Sequence, residues 1–314
     1  MSGRDISVAI QYPGSRVNRI TYPLSKTNIE YEVSADNPFD FDIVLLDCPG
    51  LNVLKPLAKA KFSSVPVVYR VQGDVLRAFQ EMNYTNFKYR SAKYLFSHLD
   101  GAIPIEPVLG RRFSNVTGVR NIGTATLAKS EKYWPNAKHW DESLRLISVT
   151  NVNYIGKVQP MVDYAPYISR FLQRNGGHWN IYGKGRLAGY LQDNLGGYDN
   201  ISYCGYAEDI KSRYANSNCM LHLSNFDSLP NAILEGFASN LPVITNPFSV
   251  FSDYHGPIEV TELKKIDAKL CSMQDPTTRR IKARQGQEYL KAKHTPEIVG
   301  EQYSVVFRSV LNDC

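Results

Sequence analysis

Short, unbroken apolar runs, each followed by a helix-length segment, recur in two series along this chain, and that repetition confines it to very few folds. Ile6 to Ile10 is a β-rich run ending at Tyr12-Pro13-Gly14-Ser15. Phe41 to Leu46 is a continuous apolar run bounded by Asp47 and Pro49-Gly50. Val65 to Val71 stops at Gln72-Gly73-Asp74, and Gly101 to Ile105 follows a helical pattern over residues 84–98. Runs that are apolar on both faces suit parallel strands covered by helices on either side. A polar stretch at 125–143 interrupts the pattern. A second series then begins at Leu144: LRLISVT, a helix across 159–174, HWNIYG, a helix at 186–194, NISYCG, a helix at 207–216, CMLHLS, a helix at 230–239, and LPVIT. The expected fold is α/β, with two Rossmann-like doubly wound domains facing a cleft. The expected boundaries are 1–125 for the first domain, 126–143 for the linker and 144–294 for the second domain. Residues 295–314 form a final helix, opened by Thr295-Pro296 and expected to pack back on the first domain.

The chain has 314 residues, which is long for one compact domain and comfortable for two. With 43% hydrophobic and 21% charged residues it can build a sizeable core, which excludes wholesale disorder. Net charge is +6 and the pI about 8.9, a mild excess that fits anionic partners without choosing among nucleotide phosphates, nucleic acid and an acidic membrane surface. Arg279, Arg280, Lys282 and Arg284 come nearest to a basic cluster, and their helical spacing reads first as a solvated face. Five cysteines (Cys48, Cys204, Cys219, Cys271, Cys314) without C-x-x-C spacing argue against a disulfide framework and a zinc site. No apolar window is long enough to span a membrane, and the N-terminus has no apolar signal core, so the expected location is cytoplasmic.

The most informative stretch is Ser224 to Thr245, SNFDSLPNAILEGFASNLPVIT. A strand runs into a loop with Asp227, and a helix begins near Leu229-Pro230-Asn231, with Glu235 in its first turns. Both acids can then face the carboxyl end of a parallel sheet, where open α/β folds bind ligands. The helix N-terminus beside them favours negative charge. This stretch resembles the acidic signature of GT-B glycosyltransferases of family 4: an acidic residue, seven residues, a Glu, then a small-residue segment and Leu-Pro-Val. The resemblance implies that Glu235 hydrogen-bonds the donor ribose and that Asp227, standing where the family usually has Glu, lies near the donor sugar.

Upstream pieces agree with it in order. Ile181-Tyr182-Gly183-Lys184-Gly185 resembles the family's Gly-x-Gly turn, whose glycines let a backbone approach the ligand. That implies donor-binding roles for Gly183 and Lys184. Tyr203-Cys204-Gly205-Tyr206 resembles the segment that meets the nucleotide base, which brings in Tyr206. Ile147 to Lys157 resembles a strand and loop ending in a diphosphate-binding lysine, here Lys157. Asn151 stands near the place of that loop's arginine, and Lys184 or Arg186 could compensate for the lost cation. In the first half, Gly14 and Ser15 occupy the turn where the family approaches the diphosphate. Pro66 to Asp74 resembles the strand that ends in the family's histidine. Gln72 takes that position, and it can exchange hydrogen bonds but cannot carry a proton at neutral pH.

The resemblance implies transfer of a sugar from a nucleotide-sugar donor such as a UDP- or GDP-sugar, with retention of configuration and with lysines and helix N-termini in place of a metal. No cofactor is expected. Asp40 and Asp42 have Asp-x-Asp spacing but precede a buried strand and read as its punctuation. The acceptor stays open among a glycan, a lipid-linked sugar, a small molecule and a modified nucleic acid, and a peripheral membrane contact is compatible with the charge. Two alternatives also stay open: a non-catalytic GT-B-like nucleotide-sugar-binding protein, and a nucleotide-sugar 2-epimerase.

Overall fold

The structure is a computed structural model, and it describes residues 6–11, 17–48, 52, 57, 64–80, 87–130, 134, 140–141, 143–225, 227, 229–247 and 258–313. The chain divides into two compact units, the first comprising residues 1–128 and 293–314 and the second residues 129–292.

The first unit is built on five parallel strands: β1 (Ser7–Gln11), β2 (Glu30–Val33), β3 (Ile43–Leu46), β4 (Val67–Val71) and β5 (Gly101–Pro104). Their order is β2-β1-β3-β4-β5. All residues of β3, β4 and β5 are buried, as their apolar sequences require. Strand β2 has no counterpart in the sequence reading. Its residues, EYEV, lie at the sheet edge and are mostly exposed, so no apolar run marks them. One face of the sheet carries Ile10, Leu45, Val68 and Ile103. It packs against Ile20 and Leu24 of α1 (Asn18–Leu24) and against Val299, Tyr303 and Phe307 of the final helix (Pro296–Asp313). The other face holds an aromatic cluster of Tyr69, Phe79, Phe96 and Phe113, with ring centroids 5.3–5.8 Å apart. These rings come from β4 and the helices α2 (Gly73–Gln80), α3 (Phe87–Phe96) and α4 (Pro107–Thr117). Helix α4 starts where Glu106 accepts from Val108 N and Leu109 N, both at 2.8 Å, with Pro107 where a missing N–H costs nothing.

The second unit holds six parallel strands: β6 (Leu144–Val149), β7 (Gly177–Tyr182), β8 (Ile201–Gly205), β9 (Cys219–His222), β10 (Val243–Thr245) and β11 (Ile258–Val260). Their order, β11-β10-β9-β6-β7-β8, is the doubly wound 3-2-1-4-5-6 arrangement. The sequence reading placed five strands here. Strand β11 is a three-residue edge strand, too short to show a pattern. Between the strands run α5 (Ile155–Asn175), α6 (Ala188–Leu195), α7 (Ile210–Ala215) and α8 (Asn231–Ala238), followed by α9 (Ile266–Ser272) and α10 (Pro276–Lys293). A buried polar chain crosses the sheet: Trp179 Nε1 donates to Ser148 Oγ at 2.9 Å, and Ser148 Oγ donates to Leu221 O at 2.6 Å.

One basic residue departs from the expected solvated face. Arg279 is fully buried and hydrogen-bonds Asp141 O, while Arg280 and Arg284 are exposed. Among the described residues, four cysteines are free thiols and no helix is long and apolar enough to cross a membrane.

Candidate functional site

In a 3-2-1-4-5-6 sheet the strand order reverses between the first and fourth strands, here β6 and β9, and a crevice opens beyond their carboxyl ends. Asp227 and Lys157 meet there. Lys157, in the first turn of α5, places its Nζ 3.0 Å from Asp227 Oδ1 and 2.9 Å from Oδ2. His222, the last residue of β9, brings Nε2 to 3.2 Å from Oδ2. All three side chains are largely buried. Burial pushes the Asp227 carboxyl up, but His222 and the Lys157 ammonium outweigh it and hold the group below the usual carboxylate range.

The local sequence explains how the loop and helix meet. Pro160 sits inside α5 and has no N–H for the carbonyl of Gly156, four residues earlier. Asn225 N donates to that oxygen instead, at 2.7 Å. The loop carrying Asp227 is thereby tied to the helix carrying Lys157. The side chain of Asn246 completes the mouth: its Oδ1 accepts from Ser224 N at 2.8 Å and its Nδ2 donates to Ser224 O at 3.0 Å.

Glu235 lies on α8 and both its oxygens are engaged. Oε1 accepts from Asn231 Nδ2 at 2.6 Å and from Lys129 Nζ at 3.1 Å, and Oε2 accepts from Tyr214 OH at 3.3 Å. Lys129 also lies 5.4 Å from the centroid of the Trp134 ring, which packs edge-on against Tyr214. Burial, then the neighbouring Glu235 charge, push the Tyr214 phenol well above its ordinary range, so it stays a neutral donor. Leu229 and Pro230 are buried at the foot of the helix.

The turn after β7 is held by close approach. A Cβ on Gly183 would stand 2.0 Å from Thr150 O, and one on Gly185 would stand 2.3 Å from the Val152 carbonyl carbon. Tyr203 OH donates to Gly183 O at 2.9 Å. Lys184 is exposed and sits 4.5 Å from the ring centroid of Tyr206, itself 63% exposed, which links the loops after β7 and β8. Asn151 folds onto its own loop, its Oδ1 accepting from Asn153 N at 3.0 Å. Arg186 reaches the same loop, its Nε donating to Asn153 O at 3.0 Å.

Residues 144–262 match the family described as glycosyl transferases group 1. The group 1 match runs from the start of β6 to just past β11, so Lys157, Asp227 and Glu235 all lie within it. Solved structures resemble the whole chain. Anabaena HepE with bound UDP-glucose superposes with a TM-score of 0.72 at 11% identity, covering 95% of this chain and 98% of that one. Sucrose-phosphate synthase from Thermosynechococcus elongatus gives 0.74 at 11% identity, covering 99% and 100%. TarM, known from S. aureus, gives 0.64 at 15% identity, and this chain spans only 54% of its length. These likenesses show the fold, two parallel-sheet Rossmann-like units of the GT-B class, as the sequence led us to expect.

Of the other expected site residues, Gln72 belongs to the first unit, directly after β4. Its Nε2 donates to Asp47 Oδ1 at 2.7 Å. Gly14 and Ser15 lie outside the described residues. Sequence reasoning missed His222, Tyr214 and Lys129. The first is hidden in an apolar strand and the second in a helix. Lys129 sits in the polar stretch read as a connection, which gave no sign that it reaches Glu235.

Proposed function

We propose that this chain transfers a sugar from a nucleotide-sugar donor, such as a UDP- or GDP-sugar, held by the second unit. One observation carries the reading: within the residues matching the group 1 glycosyl transferase family, Lys157 and Asp227 pair at the strand-order reversal of a doubly wound sheet, and Glu235 lies on the helix that follows Asp227. In this reading Glu235, fixed by Asn231 and Tyr214, accepts the ribose hydroxyls. Lys157 and Lys184, with the first turn of α5, neutralise the departing diphosphate and take the place of a metal. Asp227 lies beside the sugar, ionised through Lys157 and His222. Gly183 lets the backbone approach the donor, and Tyr206 offers a ring to the base. Leu229, Pro230, Asn231 and Asn151 shape the walls. Gln72 holds a substrate hydroxyl at the mouth of the first sheet. HepE, the fold neighbour with UDP-glucose bound, supports a nucleotide sugar as donor, and the family resemblance supports retention of configuration.

Calorimetric titration with UDP and GDP sugars tests the reading. Glu235→Ala should weaken donor binding by about tenfold or more, the loss expected when a buried charged acceptor is removed. Unchanged affinity with an intact fold refutes the ribose role. The reaction should persist in EDTA; complete loss restored by manganese refutes the metal-free step.

A further inference from the structure

The first sheet has its own strand-order reversal, and a carboxylate that the family resemblance does not assign stands at it. In the order β2-β1-β3-β4-β5 the reversal falls between β1 and β3, and the crevice beyond their carboxyl ends is where such sheets hold ligands. Asp47 follows β3 immediately, and its N donates to Gln11 O at the end of β1, at 3.1 Å. Asp47 is 4% exposed. Its Oδ1 takes two donors, Arg70 Nη1 at 3.1 Å and Gln72 Nε2 at 2.7 Å.

That pairing determines which way Gln72 points. Arg70 supplies a permanent cation that is 1% exposed and donates to Asp47 Oδ1, so that oxygen acts as an acceptor. A carboxylate can face only the amide nitrogen of Gln72. The amide oxygen is therefore turned to the opposite side. Gln72 is only partly buried, whereas Asp47 and Arg70 are closed off.

We propose that Asp47 is a positioning residue: through its Oδ1 it locks the Gln72 amide so that Oε1 accepts a hydrogen bond from a hydroxyl of a sugar or polyol bound at the mouth of the first sheet. The inference rests on the glycosyl-transfer reading for the class of ligand, and on the geometry above for the lock. Arg70 alone would satisfy Asp47 as a core ion pair; the 2.7 Å contact with Gln72 is what extends the pair to the surface.

Gln72→Glu tests this with Asp47 and Arg70 both kept in place. The new carboxyl would lie against Asp47, and two adjacent carboxylates share one proton. The other ionisable groups around Asp47 are Arg70, Tyr303 and Cys48. Arg70 stays charged, burial raises the Tyr303 phenol, and burial with the Asp47 charge pushes the Cys48 thiol up to about 12, so none of them titrates in the working range. When protonated, the new group donates to Asp47 and turns a carbonyl oxygen outward, as Gln72 does. When it ionises, the pair repels and the lock opens.

Melting temperature and kcat/KM for a nucleotide-sugar donor are followed together between about pH 5 and about pH 8, with Gln72→Ala as reference. The expected result is near-wild-type melting and turnover at the acid end, both falling as pH rises, with kcat/KM losing about tenfold relative to wild type. Gln72→Ala should show that loss at every pH. A Gln72→Glu melting profile parallel to wild type overturns the contact. A melting profile that moves while kcat/KM stays at the wild-type value overturns the role toward substrate. A wild-type protein that turns over no donor of a UDP- and GDP-sugar panel instead refutes the glycosyl-transfer reading, and the melting arm still reports on the lock.

Discussion

The ammonium of Lys129 lies 3.1 Å from Oε1 of Glu235, the carboxylate proposed to hold the donor ribose. A carboxylate offers about four lone-pair positions. Lys129, Asn231 and Tyr214 occupy three of them. A ribose diol needs two, so one donor has to leave. Asn231 is on the same helix and Tyr214 is fully buried, whereas Lys129 comes from an irregular segment. Lys129→Met should therefore tighten UDP binding, by about threefold to tenfold, the equivalent of one exposed to partly buried ion pair. Isothermal titration checks it. Weaker binding would make Lys129 a ligand of the nucleotide and not its competitor.

Lys157 and Asp227 hold each other in a largely buried pair, and removing one leaves the other charge poorly compensated. Lys157→Met should lower donor affinity by about tenfold and stability by about 2 kcal/mol, less than the roughly 3–5 kcal/mol of a fully buried pair because both groups keep some exposure. Donor titration and chemical denaturation separate the two effects.

Gly183 admits no side chain. The Cβ of alanine would meet Thr150 O at 2.0 Å, and that oxygen belongs to the backbone, which cannot turn aside as a side chain would. Gly183→Ala should cost about 2–3 kcal/mol, as overpacking of a tight contact does. A thermal melt of the purified variant checks it.

His294 gives the first unit a pH limit. Burial pushes its imidazolium down to about 4, and the hydrogen bond to Leu127 O, at 2.9 Å, only partly restores it. Its unfolded pKa is about 6.5. Between these values the unfolded chain binds the proton and the folded chain does not, so stability rises with pH. The contribution is complete above about pH 6.5 and is lost as pH falls through about 4, amounting to roughly 3 kcal/mol. Melting temperature followed from pH 7 to pH 4 should fall more steeply in the wild type than in His294→Gln.

The chain's own sequence determined the two sheets and the place of Asp227 in the loop that follows a strand. Buried parallel strands must be apolar on both faces, and FDIVLL, VPVVYRV and LRLISVT announce themselves for that reason. Strand β2 is mostly exposed and β11 only three residues long, so neither left such a mark. Gly183 was legible because only glycine tolerates the close backbone. The partners of the acids were not. Lys157 and Asp227 are 70 positions apart, and Lys129 and Glu235 are 106 apart. Nothing local records such pairings, because a lysine destined for an ion pair has the same neighbours in sequence as one destined for water. The burial of Arg279 against the Asp141 carbonyl, on a helix that reads as basic and solvated, was decided the same way. Local pattern sets which elements form and which face they bury; only their packing brings distant charges together, and with them the protonation states on which the proposed chemistry depends.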